Sequence, residues 1–278
     1  MNLKSWASIV GIAVSGIVAG GIEPVGAVTI TLYDGAAGTT PNSYTSTPYL
    51  NFSNSGGSQT ASGGVTNLDT SSSESVQAGY SNYNSSGLVN SLFPVLDNNA
   101  GYTLSFTMKV NSQTNNGSNG DYRAGFSAIV LGSDKKGIEL GFRNPNTNTN
   151  IPDIFSQNSA TFNTSGERNA SLGGILSNLS TYNLTILGNG YTLTNGGNTL
   201  LSGLLRDYTS AVGLLTDVYR TPNFIFLGDN TISAGANVDI QSITLTTTDA
   251  TAVPEPSSMV GIGLAIGFAA RLRRKLVN

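Results

Sequence analysis

Residues 102–110, Tyr102-Thr-Leu-Ser-Phe-Thr-Met-Lys-Val110, decide the fold class. Leu104, Phe106, Met108 and Val110 share one phase of a two-residue period, and Thr103, Ser105, Thr107 and Lys109 share the other. Successive side chains on a strand point to opposite faces, so this is a strand with one face in a core and one in water. Its surroundings carry the same signature. Val28, Ile30 and Leu32 alternate with Thr29, Thr31 and Tyr33. Arg123–Leu131 is apolar in both phases, which predicts a strand in the middle of a sheet. Gly132-Ser-Asp-Lys-Lys-Gly137 then turns the chain into Ile138–Phe142 as a hairpin. Asp153-Ile-Phe155 is a short strand and Phe224-Ile-Phe-Leu227 a buried one.

Further along, Tyr182–Leu187, the turn Gly188-Asn-Gly190 and Tyr191–Thr194 form a second hairpin, with glycine and asparagine where positive φ is needed. Asn195-Gly-Gly-Asn198 leads into Thr199–Leu201. Leu201, Leu204, Leu205, Tyr208, Val212 and Leu215 also fit a short helix over 201–215, which Gly203 and Gly213 weaken. Val238 and Ile240 lie in one phase, Ile243 and Leu245 in the other, and that slip predicts a bulge. Residues 34–100 are polar with scattered anchors such as Tyr44, Phe52, Tyr80 and Tyr83. They leave two readings open, long surface loops with short strands or partial disorder, and the aromatic residues favour order. Short strands joined by long polar loops, with hardly any helix, predict an all-β sandwich of jelly-roll type over 28–250. The run from Tyr182 to Leu201 resembles the strand–turn–strand segment of concanavalin A-like and laminin G-like jelly rolls.

Composition excludes whole classes of chemistry. The 278 residues include no cysteine and no histidine. Disulfides, thiolate catalysis, Cys/His zinc sites and Ser-His-Asp triads are therefore impossible. Without residues 1–27 and 251–278 the body holds eight cations against fourteen acids, a net charge of −6. That balance argues against nucleic acid as a partner.

The two ends read as targeting segments. In residues 1–27, Lys4 is a positive start, Trp6 to Gly21 an apolar core, and Val25-Gly26-Ala27 supplies the small residues that signal peptidase reads. Residues 251–278 contain Val253-Pro254-Glu255-Pro256, an uncharged run from Met259 to Ala270, and the basic cluster Arg271, Arg273, Arg274 and Lys275. The two prolines hold Val253–Pro256 extended, the form a protease or transpeptidase groove accepts. The basic cluster would keep its end in the cytoplasm. Motif, spacing, charge and terminal position resemble the sorting signal of the PEP-CTERM proteins. The resemblance implies export through the secretion translocon, a transient stay in the inner membrane, processing by an exosortase, and delivery to the cell envelope, outer surface or extracellular matrix of a bacterium that makes exopolysaccharide. The alternative is an ordinary membrane anchor behind a proline-rich linker.

Chemistry within the body is sparse. Jelly-roll glycosidases place two carboxylates one or two residues apart on one strand. Here Glu139 and Asp239 stand alone, and Glu139 reads as a solvated charge on an outer face. Calcium is possible without being required, with Asp121, Asp134, Asp153 and Asp229 as oxygen donors, although Asp in turns usually serves turn geometry. Tyr102, Tyr122, Phe142, Tyr191, Tyr208 and Tyr219 could stack on sugars, but strand aromatics belong more often to cores. The expectation is a non-catalytic surface or biofilm-matrix protein whose body binds carbohydrate or adheres. The alternatives are a purely structural surface protein and a degenerate polysaccharide hydrolase.

Overall fold

A computed structural model describes residues 26–115, 123–144, 152–159, 164–210 and 216–248. The strands are β1 (Val28–Asp34), β2 (Asn51–Ser55), β3 (Ser58–Ser62), β4 (Val65–Asp69), β5 (Gln77–Ser81) and β6 (Tyr83–Asn84). Next come β7 (Gly87–Leu88), β8 (Tyr102–Asn115), β9 (Ser127–Leu131), β10 (Lys136–Arg143), β11 (Asp153–Gln157) and β12 (Thr164–Asn169). The last are β13 (Ser180–Leu187), β14 (Gly190–Asn195), β15 (Asn198–Leu204), β16 (Arg206–Asp207), β17 (Phe224–Asp229) and β18 (Ala234–Thr247). One sheet has the order β15-β14-β13-β8-β18-β4-β3 with β1 also on β18. The other has the order β12-β11-β10-β9-β17-β5-β2 with β16 also on β10. We call them the first and second sheet. All their named pairings are antiparallel, and the body is the two-sheet jelly-roll sandwich that the strand periods predict.

The core lies between the sheets, as the period of β8 requires. Leu104, Phe106, Met108 and Val110 are at most 1% exposed, while Thr103, Ser105, Thr107 and Lys109 keep partial access to water. Phe106 stacks on Tyr182 of the neighbouring strand at 5.6 Å. Both meet Phe142 of the second sheet edge-on, at 5.6 and 5.3 Å, which locks the layers through aromatic geometry as well as area. The bulge in β18 falls between Ile240 and Ser242, leaving Gln241 exposed. That extra residue returns Ile243 and Leu245 to the core face already occupied by Val238 and Ile240. Gly196 and Gly197, with φ of 54° and 82°, close the β14–β15 hairpin in the conformation a two-residue turn needs.

Two local expectations change. Residues 201–215 do not open with a helix: β15 runs on to Leu204 and β16 pairs with β10. Leu201 is drawn into the core by pairing with Leu193, and backbone pairing outweighs the leucine spacing. The strand expected from Arg123 begins only at Ser127. A Cβ on Gly125 would lie 2.3 Å from the Gly235 carbonyl carbon, so this stretch abuts the start of β18 instead of extending the ladder. Residues 34–100 contribute two 3₁₀ turns and six strands, four of them in the two sheets. Among the described residues no helix is long and apolar enough to cross a membrane.

Candidate functional site

A cavity of about 530 Å³ opens on the outer face of the second sheet. Strand register builds its floor. Glu139 on β10 pairs with Ile129 on β9, Ile129 with Phe226 on β17, and Phe226 with Ser81 on β5. Directly paired residues face the same side, so these four side chains form one row across the sheet. The next row is Gly141, Ser127, Gly228, Gly79 and Ser53. Small residues there leave room above the backbone, and the Phe226 ring lies over Gly79, 2.4 Å from where a Cβ would stand.

A second, smaller core covers part of this face. Ile129, Leu131, Tyr208, Tyr219 and Phe224 are buried together, with Tyr83, Val218 and Phe226 packed against them. Tyr219 belongs to the 3₁₀ turn Thr216–Arg220, and its ring lies 5.3 Å from that of Tyr208. Glu139 is consequently only 3% exposed. Here the structure overturns the solvated-charge reading: Glu139 does point away from the sandwich core, but Tyr208 and the 3₁₀ turn of Tyr219 close over it.

The carboxyl group of Glu139 is a hub. Tyr219 Oη donates to its Oε2 at 2.5 Å and Asn230 Nδ2 donates to its Oε1 at 2.9 Å. The Glu139 backbone N–H donates to Tyr208 Oη at 3.1 Å, and that hydroxyl donates to the Gln157 carbonyl at 2.9 Å. Burial raises the Glu139 pKa, against the pull of Tyr219, Asn230 and the positive charge of Arg123. Burial beside this carboxyl also pushes the Tyr219 phenol well above its usual value. Three separate elements, β10, the 3₁₀ turn and the β17–β18 connection, thus meet on one side chain.

Asp229 also lines the cavity but serves a different purpose. It shares the core-side phase of Ile225 and Leu227. It accepts from Thr70 Oγ1 at 2.7 Å and from the Thr231 N–H at 3.0 Å, and burial raises its pKa as well. Asp134 lies at the other end of the β9–β17 ladder, in the Gly132–Lys136 turn, where it accepts from Asn98 Nδ2 and the Lys136 N–H. The structure therefore does not bring Asp134 and Asp229 together, and Asp121 lies outside the described residues. Asp153 is buried in a bidentate pair with Arg143, both bonds 2.8 Å, and Arg168 reaches the same carboxylate. Among the described residues no group of three or more acids could hold a metal ion. Asp239 pairs with Lys109 at 3.2 Å on the first sheet.

Of the aromatic residues with stacking potential, Tyr102, Phe142, Tyr191 and Tyr208 are at most 3% exposed, and Tyr122 lies outside the described residues. The rings that do border the cavity are Tyr83, Tyr219, Phe224 and Phe226. Sequence reasoning missed the cleft because its roof comes from a stretch with no strand period. The surplus of aromatics at Tyr208, Tyr219 and Phe224 was the available signal. Ala27 lies just before β1, whereas Val25, Val253–Pro256 and Arg271–Lys275 lie outside the described residues.

Residues 252–275 match the PEP-CTERM protein-sorting motif. The chain thus carries at its C-terminal end the exosortase sorting signal expected there, which implies an exported, exosortase-sorted cell-surface protein. No curated protein sequence matches. Among solved structures, the body is similar to the exoplasmic/lumenal domain of VIP36 in its Ca2+/Man2-bound form, at 12% identity over 82% of this chain and 91% of that one, TM-score 0.44. It is similar to a Bacillus subtilis protein of unknown function with a galectin-like fold, at 7% identity over 78% and 96%, TM-score 0.44. A third similarity is to the CBM2 module of the evolved Dit of Lactobacillus casei BL23 phage J-1, at 10% identity over 81% and 99%, TM-score 0.44.

Proposed function

We propose that the sorted body is a non-catalytic carbohydrate-binding module of the bacterial surface or matrix, and that the cleft over Phe226 and Gly79 receives a segment of exopolysaccharide. One observation carries the reading: a half-open cavity of about 530 Å³ combines ring faces with many neutral polar groups. Phe226 and Tyr83 are only partly buried and offer apolar surface for the flat face of a sugar ring. Ser53, Asn54, Gln77, Ser81 and Thr231 supply donors and acceptors around them. Both acids lining the cavity are biased by burial towards their uncharged forms, which suits a ligand built from hydroxyl groups.

The same geometry argues against hydrolysis. Glycoside cleavage by two carboxyl groups needs both of them facing the scissile bond across the cleft. Glu139 has both oxygens engaged, and Asp229 shares the phase of the core on the opposite side of β17. The test is equilibrium binding of the full chain to fragments of the producing cell's exopolysaccharide, comparing wild type with Phe226→Ala. Loss of one stacked ring should weaken binding about tenfold, the equivalent of roughly 1.4 kcal/mol. Unchanged affinity in a folded variant, or turnover of the fragments by the wild type, would defeat the proposal.

A further inference from the structure

We propose that the pole of the sandwich from which the sorting tail leaves is a membrane-docking surface, seated on the bilayer that receives the tail. The inference rests on the sorting reading of residues 252–275. Val28 pairs with Thr247, so both chain ends of the body emerge together. Thr248 then donates its N–H to the Gly101 carbonyl, at the start of β8. Asn98 gathers the rest of this pole: its carbonyl accepts from Gly188 in the β13–β14 turn, and its side chain donates to Asp134 in the β9–β10 turn. The two sheets therefore present one common end beside the tail.

That end holds most of the exposed apolar bulk. Among the described residues, eight large hydrophobic side chains are exposed. Leu92 at 74%, Val95 at 62%, Leu187 at 64% and Leu204 at 70% lie at this pole, with Val28 and Leu88 beside them. Leu187 and Leu204 flank Gly190 on adjacent strands, where nothing larger than hydrogen separates them. Leu92 and Val95 protrude from the segment whose Phe93 and Leu96 plug the same pole from within. By contrast, Ile232 sits in the β17–β18 connection at the opposite end, and Leu179 precedes the far end of β13.

Isolated exposed apolar residues need no explanation, but six of them at the exit of a membrane-inserting tail do. Residues 249–258 separate Thr248 from the apolar run at Met259, a tether of at most about 35 Å when fully extended. A tether this short holds the pole at the lipid surface at high effective concentration, so even weak interfacial burial suffices. Lys135 and Lys136 share the tip with Asp134 and Asp207, so the seat is apolar and does not depend on anionic lipid. In this pose Asp229 and Thr231 lie at the end of the cleft remote from the bilayer.

The chain has no cysteine, so single labels are clean. The full chain is placed in vesicles of phosphatidylethanolamine and phosphatidylglycerol containing brominated phosphatidylcholine. An environment-sensitive fluorophore is attached in Leu187→Cys, Leu204→Cys or Ile232→Cys, all exposed positions that leave the core intact. Docking predicts quenching at 187 and 204 about threefold stronger than at 232, unaltered by high salt, because interfacial contacts reach the acyl boundary. Equal quenching at the three positions, with the tail still resistant to carbonate extraction, overturns the docking and leaves the sorting reading intact. A tail that carbonate removes overturns both. Shielding of 187 and 204 that follows protein concentration without lipid would assign the pole to a second copy and overturn the proposal.

Discussion

Replacing Glu139 by glutamine keeps the size of the hub in the cleft and removes its proton chemistry, and the structure fixes the sign of the pH dependence that results. In the folded protein burial raises the Glu139 pKa above the ordinary value of 4.5, despite Tyr219, Asn230 and Arg123. In the unfolded chain the carboxyl returns to that ordinary value. Below it both states hold the proton, and the stabilisation linked to the raised pKa is fully present. As the pH climbs from about 4.5 towards the folded pKa, the unfolded state ionises first, and stability is lost by up to about 1.4 kcal/mol per pH unit. The E139Q variant has no such proton, so its stability relative to wild type should rise with pH across that window and be flat below it. At the acidic end both side chains are neutral, and the glutamine amide can donate to Tyr219 Oη while its oxygen accepts from Asn230 Nδ2, so the two proteins should differ least there. Asp229 has a raised pKa too, but it is present in both proteins and cancels in the difference. Urea denaturation of residues 28–248 at a series of pH values measures this directly. A stability difference that stays constant with pH, or falls as pH rises, would refute the reasoning.

Other perturbations test other parts of the structure. Asp153→Ala removes the bidentate carboxylate partner of the fully buried Arg143 guanidinium and should cost about 3–5 kcal/mol, seen as a lower urea midpoint. Gly79→Ala puts a methyl group 2.4 Å from the Phe226 ring and 2.9 Å from the Leu227 carbonyl oxygen, so the ring must leave the cleft floor. It should lower stability by about 1–3 kcal/mol and weaken ligand binding, whereas unchanged affinity would separate Phe226 from the site. Replacing Pro254 and Pro256 by alanine lets helix extend from the apolar run, since alanine is favoured there by about 3 kcal/mol per residue. The variant should accumulate as a full-length inner-membrane form, and mass spectrometry of the C-terminus would show residues 259–278 still attached. Wild-type surface protein that retains those residues would leave a simple anchor in place of the sorting signal.

What was legible in the sequence was local. The phase of Leu104 to Val110 specified a half-buried strand, and the phase slip between Ile240 and Ile243 located a bulge to within a residue. The terminal motif was equally readable, because its prolines, apolar run and basic cluster act in linear order. Glu139 and Arg143 were not legible in the same way. Both occupy the outward phase of β10, where charge normally means solvent. The burial of Glu139 depends on Tyr208 just beyond β16 and on a turn eighty positions away, and that of Arg143 on Asp153 and Phe155 of β11, contacts that no local period encodes. The leucine spacing at 201–215 misled for a related reason: pairing with β14 decided the conformation of its first residues, and spacing alone was silent about a partner.

The central claim is that the cleft on the second sheet is where a saccharide binds. Amide chemical-shift mapping of residues 28–248, titrated with exopolysaccharide fragments, tests it most directly. The account predicts saturable shifts clustered at Ser53–Ser55, Gln77–Ser81, Phe226 and Asn230, with the threonine face of the first sheet, Thr103 and Thr107 of β8 and Thr244 and Thr246 of β18, unchanged. Shifts confined to that threonine face, or no saturable shift from any fragment, would contradict it.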